Sequence, residues 1–239
     1  LCTITEDLVF TEPFSRGGRN SVSPANERDA AALIADDVMV KAMGQAKFAF
    51  MTQAEALIHG DLHTGSVMVR AASGDDGPVD SAKAFDSEFA FYGPVAFDLG
   101  ALWANYTIAA ARATALGDDD RADWCLALCD ATWGSFETAF RAAWPARRDP
   151  RVFTDDFCDD LLARWRSDTW LFAAAKMSRR VVGLAKASDV ETLPEDLREG
   201  AARGLLQTAR AAVRLRAEDS GTSHYIAIAS DALRTNSTR

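Results

Sequence analysis

Histidine is scarce in this chain, with three in 239 residues. Cysteine is little used: Cys2, Cys125, Cys129 and Cys158 are the only four, and no C-x-x-C pair occurs. That excludes a disulfide framework and the usual structural zinc spacings. Cys125 and Cys129 would share a helix face, but no further ligand stands near them, so they read as small buried hydrophobes. Basic residues fall short of acidic ones, 26 against 35, for a net charge of −9. No basic stripe interleaved with aromatics is present. Nucleic acid is thereby set aside as a partner, because duplex binding rests on phosphate neutralisation by Lys and Arg. A small anionic ligand stays open, since a few local cations suffice for it. There is no run of ~18 apolar residues to span a membrane, and no secretory leader is visible. Unbridged cysteines suit a reducing compartment, so the expected location is cytoplasmic. What the chain does have is 48% hydrophobic residues, enough for a real core. Its length suits one large domain or two small ones, and no composition break asks for two.

Residues 1–27, with Pro13, Gly17, Gly18 and Pro24, read as an irregular extended segment. Helical spacing follows over 27–50. Residues 66–70, "SVMVR", read as a strand; "AASGDDGPVDSA" is a turn dense in Gly, Asp and Pro. "KAFDSEFAFYG" reads as the partner strand and its exit, making 66–90 a hairpin. Beyond Pro94 the chain reads as helical: a core helix over 97–116, another over 121–143, and one or two over 154–186 with Thr154 as N-cap. A further helix follows with Pro194 near its first turn. The tail from 222 to 239 ends in polar residues expected to fray. The fold class is α+β and mostly α-helical, a small β-hairpin set into a helical body.

Two of the three histidines fall in "ALIHGDLHTGSVMV", Ala56 to Val69, with an aspartate between them: His59, Asp61 and His63. Asp61 precedes one strand of the hairpin, and Asp86 and Glu88 end the other. The open end of a hairpin brings such positions together. Two residues apart on a regular strand, Asp86 and Glu88 would share a face. Two or three carboxylates there could hold a hard divalent cation, and Mg²⁺ commonly takes one or two carboxylates plus substrate phosphates. Solvated strand-end charges are the plainer alternative, and composition alone leaves both open.

The letters themselves add to this. His59-Gly60-Asp61 before a strand, then an acidic strand end, resembles a kinase catalytic loop and its metal-binding turn. Choline and aminoglycoside kinase-like enzymes carry H-G-D-x-x-x-x-N; here Ser66 takes the Asn position, and Asp86-Ser87-Glu88 stands in place of D-F-G. With "LIHGDLHTGSVMV" and "DSEFAFYGPVAFDLGALWANY", and with further segments at 3–13 and 178–193, the chain resembles the 5-methylthioribose kinase family. The resemblance implies the C-terminal lobe of a protein-kinase-like fold over residues 1–239. It also implies ATP-dependent phosphorylation of the 1-hydroxyl of 5-methylthioribose, a step of methionine salvage, with Mg²⁺. In that reading Asp61 is the catalytic aspartate, and Asp86 and Glu88 hold the metal and, with Ser66, the nucleotide. Arg179, Arg180 and His63 face the substrate, and His59, Gly65 and Asp98 support the loop. Gly65 would supply an unusual backbone angle and Asp98 would cap the following helix while bracing the loop.

A complete kinase of this type also needs a Gly-rich phosphate loop and a nucleotide-binding Lys on an N-terminal sheet. "SRGGRNS" is too short to be that loop, and "LCTITEDLVFTEPF" reads like the interior of a protein. The expectation is therefore a chain without the N-terminal nucleotide-binding lobe, a fragment or truncated paralogue, inactive by itself and prone to pair as a homodimer. Three rivals stand beside it, the least of them a helical scaffold unrelated to kinases. The first is a phosphotransferase for another alcohol, such as an aminoglycoside. The second is a non-catalytic lobe kept as a dimerisation or regulatory module.

Overall fold

The computed structural model describes residues 2–72, 77–217 and 220–237. A short helix α1 (Cys2–Thr5) continues into a π-helical stretch (Glu6–Thr11) and a 3₁₀ turn (Glu12–Phe14). Helices α2 (Glu27–Ile34) and α3 (Asp37–Thr52) precede four short strands, β1 (Ala56–Ile58), β2 (Val67–Ala71), β3 (Val79–Ala84) and β4 (Phe91–Gly93). The rest is helical: α4 (Val95–Leu116), α5 (Asp119–Ala143), α6 (Asp155–Val181), α7 (Ser188–Glu191), α8 (Glu195–Leu215) and α9 (Thr222–Asn236). The molecule is a mostly helical α+β lobe. Its strands form two antiparallel pairs, β1 with β4 (Leu57 opposite Tyr92) and β2 with β3 (Val69 opposite Ala82).

Helices α4 and α6 form the spine. Helix α4 is apolar through most of its turns because it is covered on most sides, with α5, α6, α8 and α9 packed around it. Gly100 lets α6 approach closely: a Cβ there would stand 2.6 Å from the Cβ of Phe172. An aromatic knot of Phe10, Phe50, Phe97 and Phe172 fastens the N-terminal segment, α3, α4 and α6 at one end of this spine, with Phe97 centred 4.9 Å from Phe50 and 5.4 Å from Phe172. A second knot of Trp103, Trp170 and Tyr225 joins α9 to the same two helices, and the buried Tyr225 hydroxyl meets that of Thr107 at 3.0 Å. Cys125, Cys129 and Cys158 are buried and unbridged, while Cys2 is exposed.

Several local expectations are corrected. Residues 2–14 are helical rather than extended, because winding them turns Val9, Phe10 and Phe14 into the core. The helix expected over 27–50 breaks at Asp36, whose carboxylate caps α3 by accepting from Met39 N. The acidic stretch Asp86–Glu88 lies on no strand: β3 stops at Ala84, and the chain loops before β4 pairs with β1 instead of β2. Residues 222–236, in the tail for which no element is expected, form α9 with Tyr225 fully buried. The centre of the hairpin turn, residues 73–76, and the last two residues of the tail lie outside the described residues.

Candidate active site

The loop after β1 is shaped by backbone needs before any chemistry. Gly60 has φ +82°, a conformation that L side chains rarely adopt, and a Cβ there would stand 2.2 Å from the carbonyl oxygen of Phe89. The left-handed glycine of this loop is therefore Gly60 and not Gly65, whose φ is not positive. Gly65 is small for another reason: a Cβ would come within 2.9 Å of the His63 ring.

Asp98, in the first turn of α4, reaches back to this loop. Its Oδ2 accepts from His59 N at 2.6 Å and its Oδ1 from Gly60 N at 3.1 Å. It does not cap its own helix; the N-cap position is Pro94. Burial pushes the Asp98 carboxyl above its usual range, against the two amides and Lys176, which draw it down. Glu55 makes a second brace just before β1, accepting from Val95 N at 3.1 Å and from the Trp165 indole at 2.8 Å. The loop is thus tied to the start of α4 and to α6.

The acidic segment is laced to the same loop at both ends. Phe85 N donates to Ser66 O at 3.0 Å, and His59 Nε2 donates to Phe85 O at 2.8 Å. On the other side Phe89 abuts Gly60. Asp86 and Glu88 lie between these anchors, both exposed, and Asp86 has φ +66° where the segment bends. Among the described residues no three His, Cys, Asp or Glu side chains gather as a metal cluster. Two exposed carboxylates on an anchored bend nevertheless suit a hard cation that brings phosphate oxygens with it. Ser66 is buried, at 2% exposure, and its hydroxyl bonds inside the loop, with the ring of His63 at 3.2 Å and Asp61 O at 3.4 Å.

Asp61 opens onto a small cleft of about 130 Å³ lined also by Gly60, Phe89, Lys176 and Arg179, with Ile4 and Leu8 on its apolar side. Lys176 Nζ donates to Asp61 Oδ1 at 3.1 Å, while His63 Nε2 stands 3.9 Å from Oδ2. Burial raises the Asp61 carboxyl, but Lys176, Arg179 and His63 outweigh it and hold the group below its ordinary value. Burial brings Lys176 down to about 8 against the pull of Asp61, and desolvation of the half-buried Arg179, with Arg180 beside it, brings that group down to about 10. His63 is lowered by burial and by Arg180 and Lys176, with Asp61 opposing. Arg179 lines the cleft, whereas Arg180 reaches the site through its charge on His63. A roomier cavity of about 720 Å³ lies between α4 and α5, touching the loop only at Thr64. The small cleft is the candidate site, because there a carboxylate, an ammonium and a guanidinium converge.

Lys176 is the residue that sequence reading missed. The signal was present: a lone lysine inside "WLFAAAKMS", three and four residues before Arg179 and Arg180, shares their helix face.

A kinase-like helical lobe with an H-G-D loop clamped to its spine defines a class, and the comparisons agree. The phosphotransferase enzyme family matches residues 11–133, and the chain belongs to that family. It is similar to methylthioribose kinases. It is 37% identical over 216 residues to that of Geobacillus sp. (strain WCH70), covering 90% of this chain and 50% of that protein. It is 35% identical over 227 residues to that of Geobacillus kaustophilus (strain HTA426), covering 94% and 54%, and 33% identical over 211 residues to that of Enterobacter sp. (strain 638), covering 82% and 48%. The chain spans about half the length of the curated relatives it matches.

Proposed function

We propose that this chain supplies the acceptor-binding and metal-binding half of an ATP-dependent kinase acting on the 1-hydroxyl of 5-methylthioribose, in methionine salvage. The observation that carries the reading is Asp61, held ionised at the floor of a cleft by Lys176 with Arg179 beside it. Phosphoryl transfer asks mostly for positioning and charge neutralisation. Asp61 would take the proton of the acceptor hydroxyl. Arg179, whose planar fork suits paired oxygens, would hold the sugar or the transferring phosphoryl group, and Arg180 and His63 would set the field around them. Asp86 and Glu88 would hold Mg²⁺, which when bound with ATP neutralises phosphate charge. His59, Gly65 and Asp98 would keep the loop in shape, and Ser66, expected at the nucleotide, is reassigned to the same task because its buried hydroxyl bonds inside the loop.

The test is formation of 5-methylthioribose 1-phosphate from ATP and Mg²⁺. It is run on the 239-residue chain alone and on a chimera that places this chain behind the N-terminal half of the relative from Geobacillus sp. (strain WCH70). No turnover is expected from the chain alone, because the nucleotide would need contacts from both halves and shielding from water. Turnover is expected from the chimera. A folded chimera that phosphorylates another alcohol but not methylthioribose would overturn the substrate, and one inactive with all acceptors would overturn the kinase reading.

A further inference from the structure

Lys176 sits where the fold has every reason to place an apolar side chain. Its neighbours along α6 from Trp170 to Ala175, and Met177 after it, are each at most 2% exposed, and Lys176 itself is 5% exposed. Its ammonium lies 4.3 Å from the centre of the Phe97 ring, on the aromatic knot that fixes α4 to α6. Carrying a charge into such a place is costly, and an apolar residue of similar volume is commonly as stable or more so. The ammonium's hydrogen-bond partner is Asp61 Oδ1. The other oxygen, Oδ2, is left toward His63, at the longer 3.9 Å. The remaining charged groups that act on the ammonium are Arg179 and Arg180 on its own helix, with Asp98 and His63 facing it from α4 and the loop.

Resting on the kinase reading above, we propose that Lys176 is the positioning residue of the reaction: it pins Oδ1 of Asp61 to the rigid spine and thereby presents Oδ2 to the acceptor hydroxyl. The loop carrying Asp61 is short and glycine-containing, so its backbone braces at His59 and Gly60 fix the main chain but not the carboxylate plane. A salt bridge from α6 supplies the missing restraint. It comes from the same helix turn that carries Arg179, so base and phosphoryl-binding cation are indexed to one another through a single element.

The experiment follows the Asp61 carboxyl by ¹³C NMR titration in the 239-residue chain, comparing wild type with Lys176→Met. Removing a buried ammonium for an isosteric thioether should leave the fold intact, because the Asp61 side chain is 32% exposed and can hydrate. The Asp61 midpoint is expected to move up by about one pH unit or more, the usual effect of losing an opposite charge at this range. The reciprocal measurement uses Asp61→Asn, in which the Lys176 ammonium should titrate lower than in the wild type. An unmoved Asp61 midpoint in Lys176→Met, or an unmoved Lys176 in Asp61→Asn, overturns the pair. In the chimera, Lys176→Met should lower kcat about 10–100-fold, as small misplacements of a reacting group do, while KM for the sugar is kept. A moved midpoint with unchanged kcat overturns the positioning role. A chimera inactive with every acceptor would end the kinase reading, and the two titrations would still decide the pair by themselves.

Discussion

Asp98 spends both carboxylate oxygens on two consecutive backbone amides, those of His59 and Gly60, so its removal strands two donors at once. Each buried amide left without a partner costs about 1–3 kcal/mol. Asp98→Ala should therefore lower stability in urea unfolding and speed hydrogen exchange at Gly60; an unchanged Gly60 exchange rate would show that the brace is not what holds the loop. Asp61 gives a different signature. Asp61→Asn removes a proton acceptor that matters mainly in the transition state, so in the chimera kcat should fall about 10²–10⁴-fold with KM little altered. Near-normal turnover would remove Asp61 from the role of base. How legible these residues are in the sequence follows from where their partners lie. Asp61, Asp86 and Glu88 stand in a local motif that can be read letter by letter. Lys176 is 115 positions from Asp61, and only the packing of α6 against the loop brings them together. Gly60 and Gly65 show a similar limit: both look like turn glycines, and only the close approach of Phe89 tells which one carries the left-handed backbone.

At the scale of elements, one buried carboxylate joins two helices far apart in sequence. Asp36 caps α3, and its oxygens also accept from Arg210 Nε at 2.7 Å and from Arg214 Nη2 at 2.6 and 2.7 Å, both on α8. Burial opposes the charge, but the two arginines and the Met39 amide hold the carboxyl down at about 2, against an ordinary 3.8. Asp36→Asn keeps an N-cap acceptor and removes the charge. It should cost about 3 kcal/mol, the low end for breaking a buried pair, since Arg210 and Arg214 keep access to water. The sign of the pH effect is fixed: a depressed carboxyl contributes stability that is whole above its unfolded value and lost as pH falls through its folded one. The gap between wild type and variant should be constant above about pH 5 and close between about 4 and 2. Chemical denaturation at several pH values checks this, and a gap that persists undiminished at pH 2 would assign the stability to something other than the charge. The long helices were legible because their apolar periodicity runs for many turns. The reading of 83–93 as the partner strand and its exit, with Asp86 and Glu88 at the strand end, failed because alternation alone cannot say which neighbour a strand pairs with: β3 stops at Ala84, Phe91–Gly93 pairs with β1, and the acidic bend between is free to leave the sheet. The N-terminal segment failed for the opposite reason, its helical turns being set by tertiary burial of Phe10 and Phe14 and not by local propensity.

In the whole molecule the strands leave several large apolar side chains bare. Leu57 and Tyr92 face each other across β1 and β4 at 66% and 69% exposure. Tyr92 and Met51, itself 59% exposed, line one shallow hollow of about 220 Å³. On the β2–β3 ribbon the successive residues Met68 and Val69 are 56% and 64% exposed, so neither face of that ribbon is covered. A two-stranded ribbon open on both faces is only marginally stable by itself, and a contiguous apolar patch favours association. The chain should therefore self-associate in a concentration-dependent way, with Leu57 and Tyr92 at the contact. Sedimentation velocity across a concentration series measures this. The double change Leu57→Lys and Tyr92→Lys should return the chain to monomer. It should alter unfolding stability by no more than about 0.5 kcal/mol per site, as exposed substitutions usually do. A chain that stays monomeric at high concentration would remove the prediction altogether. One that associates equally well with both lysines in place would move the contact away from β1 and β4, to the β2–β3 ribbon or elsewhere.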